Sequence, residues 1–472
     1  MAAEMMNTGG LLNGLSTTLG VPEAAVKLLA SIFLGFPLAL IHRKALYGAD
    51  SNLQHLFFIV SGTIIGYWNY DWDILHSAYA LCFTYLTLRI LGGTNLSLII
   101  TFAVNMIYLL VGYYATSTED YDIKWTMPHC VLTLRLIGLA FDVCDGKQKE
   151  EKLSSTQKET ALKETPSFLE MAAFIYFPGS FLVGPQFSMK RYLKYVNGEL
   201  RDPDNSSELP SCVVPGLLRA LAGLGYIIAY QVGTMYVSDE YILDPEFSKV
   251  NYFKRWFLLG IWGRVNLYKY ISCWLISEGV CMAFGITYNG KDKNGVQQWD
   301  GCANVKLLLF ENATQFNHYI MSFNINTNHW CAEYIYKRLK FLGSKVYSQA
   351  GTLLFLAIWH GLHSGYYQCF FIEFIIMYFE KDIGPVLESN KKLQALLRNP
   401  LSAAIIWVFL KIYTLVFMGY ALIPFVLLKR SKYLSVFGSF HWLGHIIFMG
   451  YPLIAPFVKS LLREKRSRPH EE

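Results

Sequence analysis

Residues 351–367 read GTLLFLAIWHGLHSGYY. A run this apolar belongs in lipid or in a deep core, yet it holds two histidines, His360 and His363. An ionisable side chain inside an apolar span is costly and marks a functional site by default. Three residues apart, the two imidazoles share roughly one helical face. Trp359 and the small residues Gly361 and Gly365 surround them, and small residues let another helix or a ligand approach closely. The plainer alternative is a core histidine bonded to a backbone carbonyl. For His363 it is a packing or supporting role beside His360.

The rest of the chain has the same character. Of 472 residues, 53% are hydrophobic and 16% charged, against about 25% charged in ordinary soluble proteins. Mean hydropathy is +0.29. These values exclude a disordered chain, a collagen-like fibre and a disulfide-stapled secreted module, and argue against a soluble enzyme. Stretches near the ~20 apolar residues that a span requires fall at 23–42, 53–70, 73–92, 95–115, 128–143, 167–184, 213–236, 253–285, 303–325, 351–379, 401–428 and 437–460. The expected fold is an all-α polytopic membrane protein with about eleven transmembrane helices, forming one domain over 1–472. Interruptions such as Phe177-Pro178-Gly179 survive in lipid only where protein or a cavity satisfies the freed backbone groups. Broken or re-entrant segments around an enclosed cavity are therefore expected. The first ~20 residues lack the pattern of a cleaved signal.

Net charge is only +6, and the positive residues sit in short clusters between apolar runs, as in membrane loops. No nucleic-acid partner is expected. The stretch 144–166, with five lysines, reads as a cytosolic loop. Lys337, Arg338, Lys340 and Lys345 form a second basic cluster, and 461–472 reads as a cytosolic basic tail. Lys429-Arg430-Ser-Lys432 conflicts with that scheme, because one span separates it from the tail. Either the last span is re-entrant or one cluster faces the other side. Asn205 and Asn312 begin glycosylation sequons, as readily by chance as by use. Nine cysteines occur without a CxxC pair, so neither a metal site nor a redox pair is expected, and most read as small apolar packers. No internal repeat of the kind found in secondary transporters is visible.

Several catalytic patterns are absent, including GxSxG and HExxH. Gly285-Ile-Thr-Tyr-Asn-Gly290-Lys291-Asp292 approaches a P-loop. However, Asp292 stands where Ser or Thr would hold Mg²⁺, and no strand precedes it. A polar turn is expected there.

A second polar island lies upstream: Ser322-Phe-Asn324-Ile-Asn326-Thr327-Asn328-His329-Trp330, then Glu333-Tyr-Ile-Tyr336-Lys337-Arg338. On one helix Asn324 and His360 would be ~54 Å apart, so they belong to different elements. With a turn in the basic stretch 337–350, both would lie ~15–20 Å from the cytosolic surface, near the middle of a ~30 Å hydrocarbon core. An antiparallel pair would then place them at similar depth.

Trp359-His360-Gly361 followed by Gly365-Tyr366, with Asn324…Trp330 upstream and Gly184-Pro185-Gln-Phe187…Tyr192 earlier, resembles the membrane-bound O-acyltransferase family. The resemblance covers nearly the whole chain, and Glu333-Tyr-Ile-Tyr-Lys is similar to the branch that acylates lysophospholipids. It implies an irregular helical bundle with a catalytic tunnel. Acyl-CoA would enter it as co-substrate from the cytosol, and the lysophospholipid acceptor laterally among membrane lipids. It places the family's histidine on His360 and its asparagine on Asn324, with Asn326 and Asn328 as competitors for the second role. It implies transfer of a polyunsaturated acyl chain to the sn-2 hydroxyl of lysophosphatidylcholine, with some use of lysophosphatidylethanolamine and lysophosphatidylserine. No permanently bound cofactor is implied. The endoplasmic reticulum membrane follows from the resemblance and the basic tail, and a homo-dimer is left open.

The chemistry fits these residue types. A thioester's leaving thiolate has an intrinsic pKa near ~8.5 and needs little acid assistance, whereas the attacking hydroxyl needs a base. A neutral imidazole at His360 can take that proton, and the Asn324 amide can donate to the thioester carbonyl. Direct transfer is expected, since no activated Ser or Cys stands out. Lys337, Arg338 and Tyr336 are candidates to meet CoA, as are Arg264 and Lys269 in the span around Trp262. The basic pair at 337–338 equally fits a topology determinant, and Arg264 or Lys269 a structural pairing with Glu278. Trp359 and His363 complete the candidate substrate-binding set. A protein or sterol acyltransferase of the same family, or a transporter without chemistry, are the other readings.

Overall fold

Every regular element among the described residues is helical, and the only β pairing there is an isolated bridge between Lys291 and Gln297. The computed structural model describes residues 8–118, 123–202 and 211–462. The Asn205 sequon and the basic tail from residue 463 lie outside them.

Chain order begins with α1 (Thr8–Leu19), a helix that the sequence reading did not anticipate. It is followed by α2 (Glu23–Ile41), α3 (Ser51–Tyr70), α4 (Leu75–Leu91), α5 (Asn95–Thr116) and α6 (Thr126–Gly146). Next come the short α7 (Ser155–Thr160), α8 (Phe168–Ile175) and α9 (Met189–Val196), then α10 (Val213–Tyr236), α11 (Asp239–Leu243) and α12 (Tyr252–Phe284). The last third holds α13 (Leu307–Glu311), α14 (Phe316–Ser322), α15 (Ile325–Cys331), α16 (Lys345–His360) and α17 (Ser364–Ser389). It closes with α18 (Lys391–Arg398), α19 (Pro400–Leu427), α20 (Arg430–Ser439) and α21 (Leu443–Leu462). Side-chain caps fix many starts: Asp50 for α3, Thr94 for α5, Ser344 for α16, and Asn399 ahead of Pro400 for α19. Seven helical stretches among the described residues are long and apolar enough to cross a membrane, against about eleven expected. One of them, Ser51–Leu91, comprises α3 and α4 joined by a 3-10 turn. The chain is a multi-pass membrane protein.

Two compact units divide the chain, with boundaries inside α10 and α12. The first takes Met1–Ile228, Lys269–Val305 and Asn324–Phe341. Its core is aromatic: the Phe58 and Phe177 rings lie 4.9 Å apart, as do those of Phe177 and Phe284. The α10 and α12 segments within it cross on small residues, Gly216, Ala220 and Gly223 against Gly279 and Ala283. A side chain added at Gly216 or Gly279 would meet the opposing backbone.

The expected span at 167–184 is not one. After α8 the chain turns through Phe177-Pro178-Gly179 and runs without helix to Ser188. Proline has no N–H to continue the ladder, and Gly184 takes φ 86°. The freed carbonyls are met by buried Arg135, whose guanidinium donates to Phe174 O (3.1 Å), Ser180 O (2.9 Å), Pro185 O (3.1 Å) and Gln186 Oε1 (3.3 Å). The rings of Phe174 and Phe187 flank it at 5.4 and 5.1 Å. Ser277 Oγ reaches the carbonyls of Gly179 (2.9 Å) and Gly184.

The stretch 144–166 is ordered. Its first residues continue α6, and α7 starts on a reciprocal Ser154/Gln157 capping box. Leu162 N then donates to Asp142 O at 2.9 Å. Between Phe284 and Val305 the chain forms a small hairpin, in which Asp292 N donates to Val296 O (2.9 Å) and Asp292 Oδ1 accepts from Asn294 N and Val296 N. The near-P-loop is thus the polar turn expected.

The second unit takes Ala229–Tyr268, Lys306–Phe323 and Leu342–Glu472. Here α17 packs on α16, α19 and α21. Gly263 of α12 meets Gly419 of α19, and Asp382 of α17 holds Lys459 (2.6 Å) and Tyr451 (2.8 Å) of α21. The expected span at 303–325 is replaced by α13 and α14, parted by residues 312–315, three of them polar. A carboxylate takes over as the cap of α14: Glu380 accepts from Phe316 N at 2.9 and 3.0 Å.

Candidate active site

His360 is the last residue of α16, and Gly361 ends the helix at φ 135°, ψ −167°, a conformation open essentially to glycine alone. The chain then turns, and His363 is the residue from which α17 starts. The break corrects the expectation that the two histidines share a face of one helix: they belong to two helices. The nearby Gly365 lies so close to the carbonyls of Pro424 and Leu428 that an added Cβ would collide with the first.

The half-buried His360 ring sits among aromatic rings, with centroids at 4.7 Å (Trp359), 5.5 Å (Tyr366), 5.4 Å (Phe370) and 5.2 Å (Phe425). Among the described residues, no hydrogen bond engages either of its nitrogens. His445 of the same unit is the contrast. Its two nitrogens are occupied by Tyr420 Oη and Gln368 Nε2, each at 2.7 Å. The His363 ring lies 6.2 Å from that of Tyr366.

Asn324, in the first unit, adopts the left-handed conformation (φ 49°, ψ 44°) and starts α15. Asparagine is among the few side chains that tolerate this region. Its carbonyl oxygen accepts from Asn328 N (3.0 Å), while its side-chain Oδ1 accepts from Asn304 Nδ2 at 3.4 Å. Asn326 spends its amide on the backbone, donating to Cys302 O (3.1 Å) and Ala303 O (3.2 Å). Burial pushes the Cys302 thiol up, which leaves it a poor nucleophile.

The basic candidates are engaged within the protein. Lys337 pairs with Glu333 and donates to Thr156 Oγ1 (3.1 Å). Arg338 grips Asp145 and lies 5.0 Å from the Phe141 ring. Tyr336 ends the π-helical turn Ala332–Tyr336 that continues α15. Arg264 donates to Phe310 O (3.2 Å) and Tyr319 Oη (2.9 Å), with Glu311 at 3.9 Å. Lys269 lies 5.1 Å from the Tyr270 ring. The partner of Glu278 is neither of these. Its Oε2 takes Arg219 Nε at 2.7 Å, because Arg219 approaches from α10 across the glycine-lined crossing. Sequence reading also missed Arg135, whose only signal was a lone arginine inside an apolar span. Among the described residues, no group of three His, Cys, Asp or Glu could hold a metal ion.

The model of MBOAT, the membrane-bound O-acyltransferase family, matches residues 110–423, a range that includes both Asn324 and His360. The chain belongs to this family. It is an O-acyltransferase. Relatives support the assignment over nearly the full length. Lysophospholipid acyltransferase 5 of Mus musculus is 44% identical over 457 residues, 97% of this chain and 93% of the relative. The protein of that name from Drosophila melanogaster is 45% identical over 440 residues, 92% and 87% of the two chains. Its counterpart in Caenorhabditis elegans is 34% identical over 447 residues, 94% of each. The family's description as membrane-bound agrees with the seven helical stretches among the described residues that are long and apolar enough to cross a membrane.

Proposed function

We propose that this chain moves an acyl group from acyl-CoA to the free hydroxyl of a lysophospholipid. The observation that carries this reading is the 44% identity to a lysophospholipid acyltransferase over 97% of the chain. The preferred acceptor is the sn-2 hydroxyl of lysophosphatidylcholine, with lysophosphatidylethanolamine and lysophosphatidylserine as further acceptors. The donor is a polyunsaturated acyl-CoA that arrives from the cytosol, the acceptor enters from the bilayer, and the site of action is the endoplasmic reticulum membrane.

In this mechanism His360 takes the acceptor's proton as the hydroxyl oxygen attacks the thioester carbon. The new C–O bond forms, the C–S bond breaks, and CoA leaves as a thiolate that the proton on His360 then neutralises. The aromatic rings around His360, Trp359 among them, keep the imidazole in an apolar surrounding without occupying its nitrogens. Such proton abstraction contributes about 10²–10⁴-fold. The Asn324 amide donates to the carbonyl oxygen as charge develops on it. His363 supports the start of α17 rather than reacting. Lys337 and Arg338 reach CoA only by leaving Glu333 and Asp145. Arg264, Lys269 and Tyr336 are the further substrate contacts of this reading.

The test is CoA release by purified protein from arachidonoyl-CoA, with lysophosphatidylcholine, a sterol and an acyl-accepting peptide offered in turn. Release with the lysolipid alone is expected. Release with the sterol or the peptide but no lysolipid would move the chain to another branch of the family.

A further inference from the structure

An asparagine side chain has two ends of nearly the same shape and opposite polarity, and only the NH₂ end can donate to a carbonyl. Asn324 is useful as a donor only if that end faces the substrate. Its Oδ1 is held by Asn304 Nδ2 at 3.4 Å. Asn304 is itself oriented, because its Oδ1 accepts from Asn326 N at 3.0 Å. Turning it over would set its NH₂ against that N–H, donor on donor.

The backbone of Asn304 is pinned as well. Asn304 N and Val305 N both donate to Glu278 Oε1, at 2.8 and 3.0 Å, and Asn304 O accepts from Ile325 N at 3.0 Å. Glu278 is 1% exposed. Its second oxygen takes Arg219, whose other arm reaches Val305 O at 2.5 Å. A relay of fixed polarity therefore runs from Arg219 on α10 through Glu278 on α12 to Asn304 and on to Asn324, all within one unit.

We propose that Asn304, anchored by the buried Glu278 and its partner Arg219, is a positioning residue that keeps the Asn324 amide with its NH₂ end toward the acyl carbonyl. This rests on the reading of Asn324 as the carbonyl donor. Asn304→Asp keeps the size and the acceptor for Asn326 N, but puts an acceptor oxygen where the donor stood. Asn324 then meets it best with its own NH₂, which turns the wrong end to the substrate.

The experiment is a double-mutant cycle on purified full-length protein, read as kcat and KM for arachidonoyl-CoA and lysophosphatidylcholine. Asn304→Asp is expected to lower kcat about 10²-fold, the scale of one lost oxyanion donor, with each KM within about threefold of wild type. In the Asn324→Ala background the same change is expected to cost nothing more. Asn304→Ala, which removes the donor without adding a charge, runs the same cycle should the first variant not fold. Losses that multiply in the double variant, or a wild-type kcat in the single Asn304 variant, overturn the proposal. A wild-type kcat for Asn324→Ala alone overturns the reading of Asn324 beneath it instead.

Discussion

Arg338 donates through both terminal nitrogens to the two carboxylate oxygens of Asp145, at 3.0 and 2.5 Å. Asp145 is 1% exposed, so the pair fastens the turn after residue 336 to the end of α6. Taking away one partner of such a pair leaves a buried charge, at a cost of about 3 kcal/mol. Arg338→Ala is expected to lower the melting temperature of the purified protein by several degrees. Asp145→Asn combined with it should recover part of that loss. A rise of tenfold or more in the KM for acyl-CoA without a change in melting temperature would instead identify Arg338 as a CoA contact.

His360→Ala is expected to reduce kcat by about 10²–10⁴-fold while leaving the melting temperature close to wild type. His363→Ala should cost less than tenfold, since its place is the start of α17 rather than the cage of rings. Initial rates of CoA release on the two purified variants separate them. Equal losses would make the two imidazoles a functional pair.

Gly361 holds φ 135° between His360 and the start of α17. Any side chain there is strained by about 1–3 kcal/mol, and relief would swing the His360 ring. Gly361→Ala is expected to lower kcat by at least tenfold with little effect on secondary structure, as read by far-ultraviolet circular dichroism beside the turnover assay.

Arg135 is the anchor of the non-helical run 176–188. Arg135→Leu leaves the Phe174 and Pro185 carbonyls and the Gln186 amide oxygen without this donor, each a buried polar group costing about 1–3 kcal/mol, while Ser180 O keeps Gly184 N at 3.1 Å. Loss of monodisperse protein on size exclusion is expected. Arg135→Lys, which keeps the charge but not the planar fork, should yield folded protein of reduced thermal stability.

Hydropathy made the long helices legible. The expected spans at 23–42, 53–70, 95–115, 213–236 and 401–428 coincide closely with α2, α3, α5, α10 and α19. It failed at 167–184 and 303–325, because a window counts apolar side chains and is blind to where backbone bonds go. In the first case the deciding groups are Arg135 and Ser277, far away in sequence. In the second, Glu380 caps a helix 64 residues before it. The break after His360 was readable: a glycine directly after an apolar helical run is a stop signal. Asn324 and His360 stood out as polar residues in apolar surroundings. The relay behind Asn324 did not, since Arg219, Glu278 and Asn304 converge only through the crossing of α10 and α12.

The left-handed backbone at Asn324 narrows what evolution could try at this position. Glutamine carries the same amide, but its longer side chain is poorly suited to φ 49°. Aspartate accepts that backbone but brings no N–H to give. Glycine fits the turn and offers no side chain at all. Under the proposed donor role, a lineage drifting from asparagine to any of these three loses either the conformation or the donor in its first step.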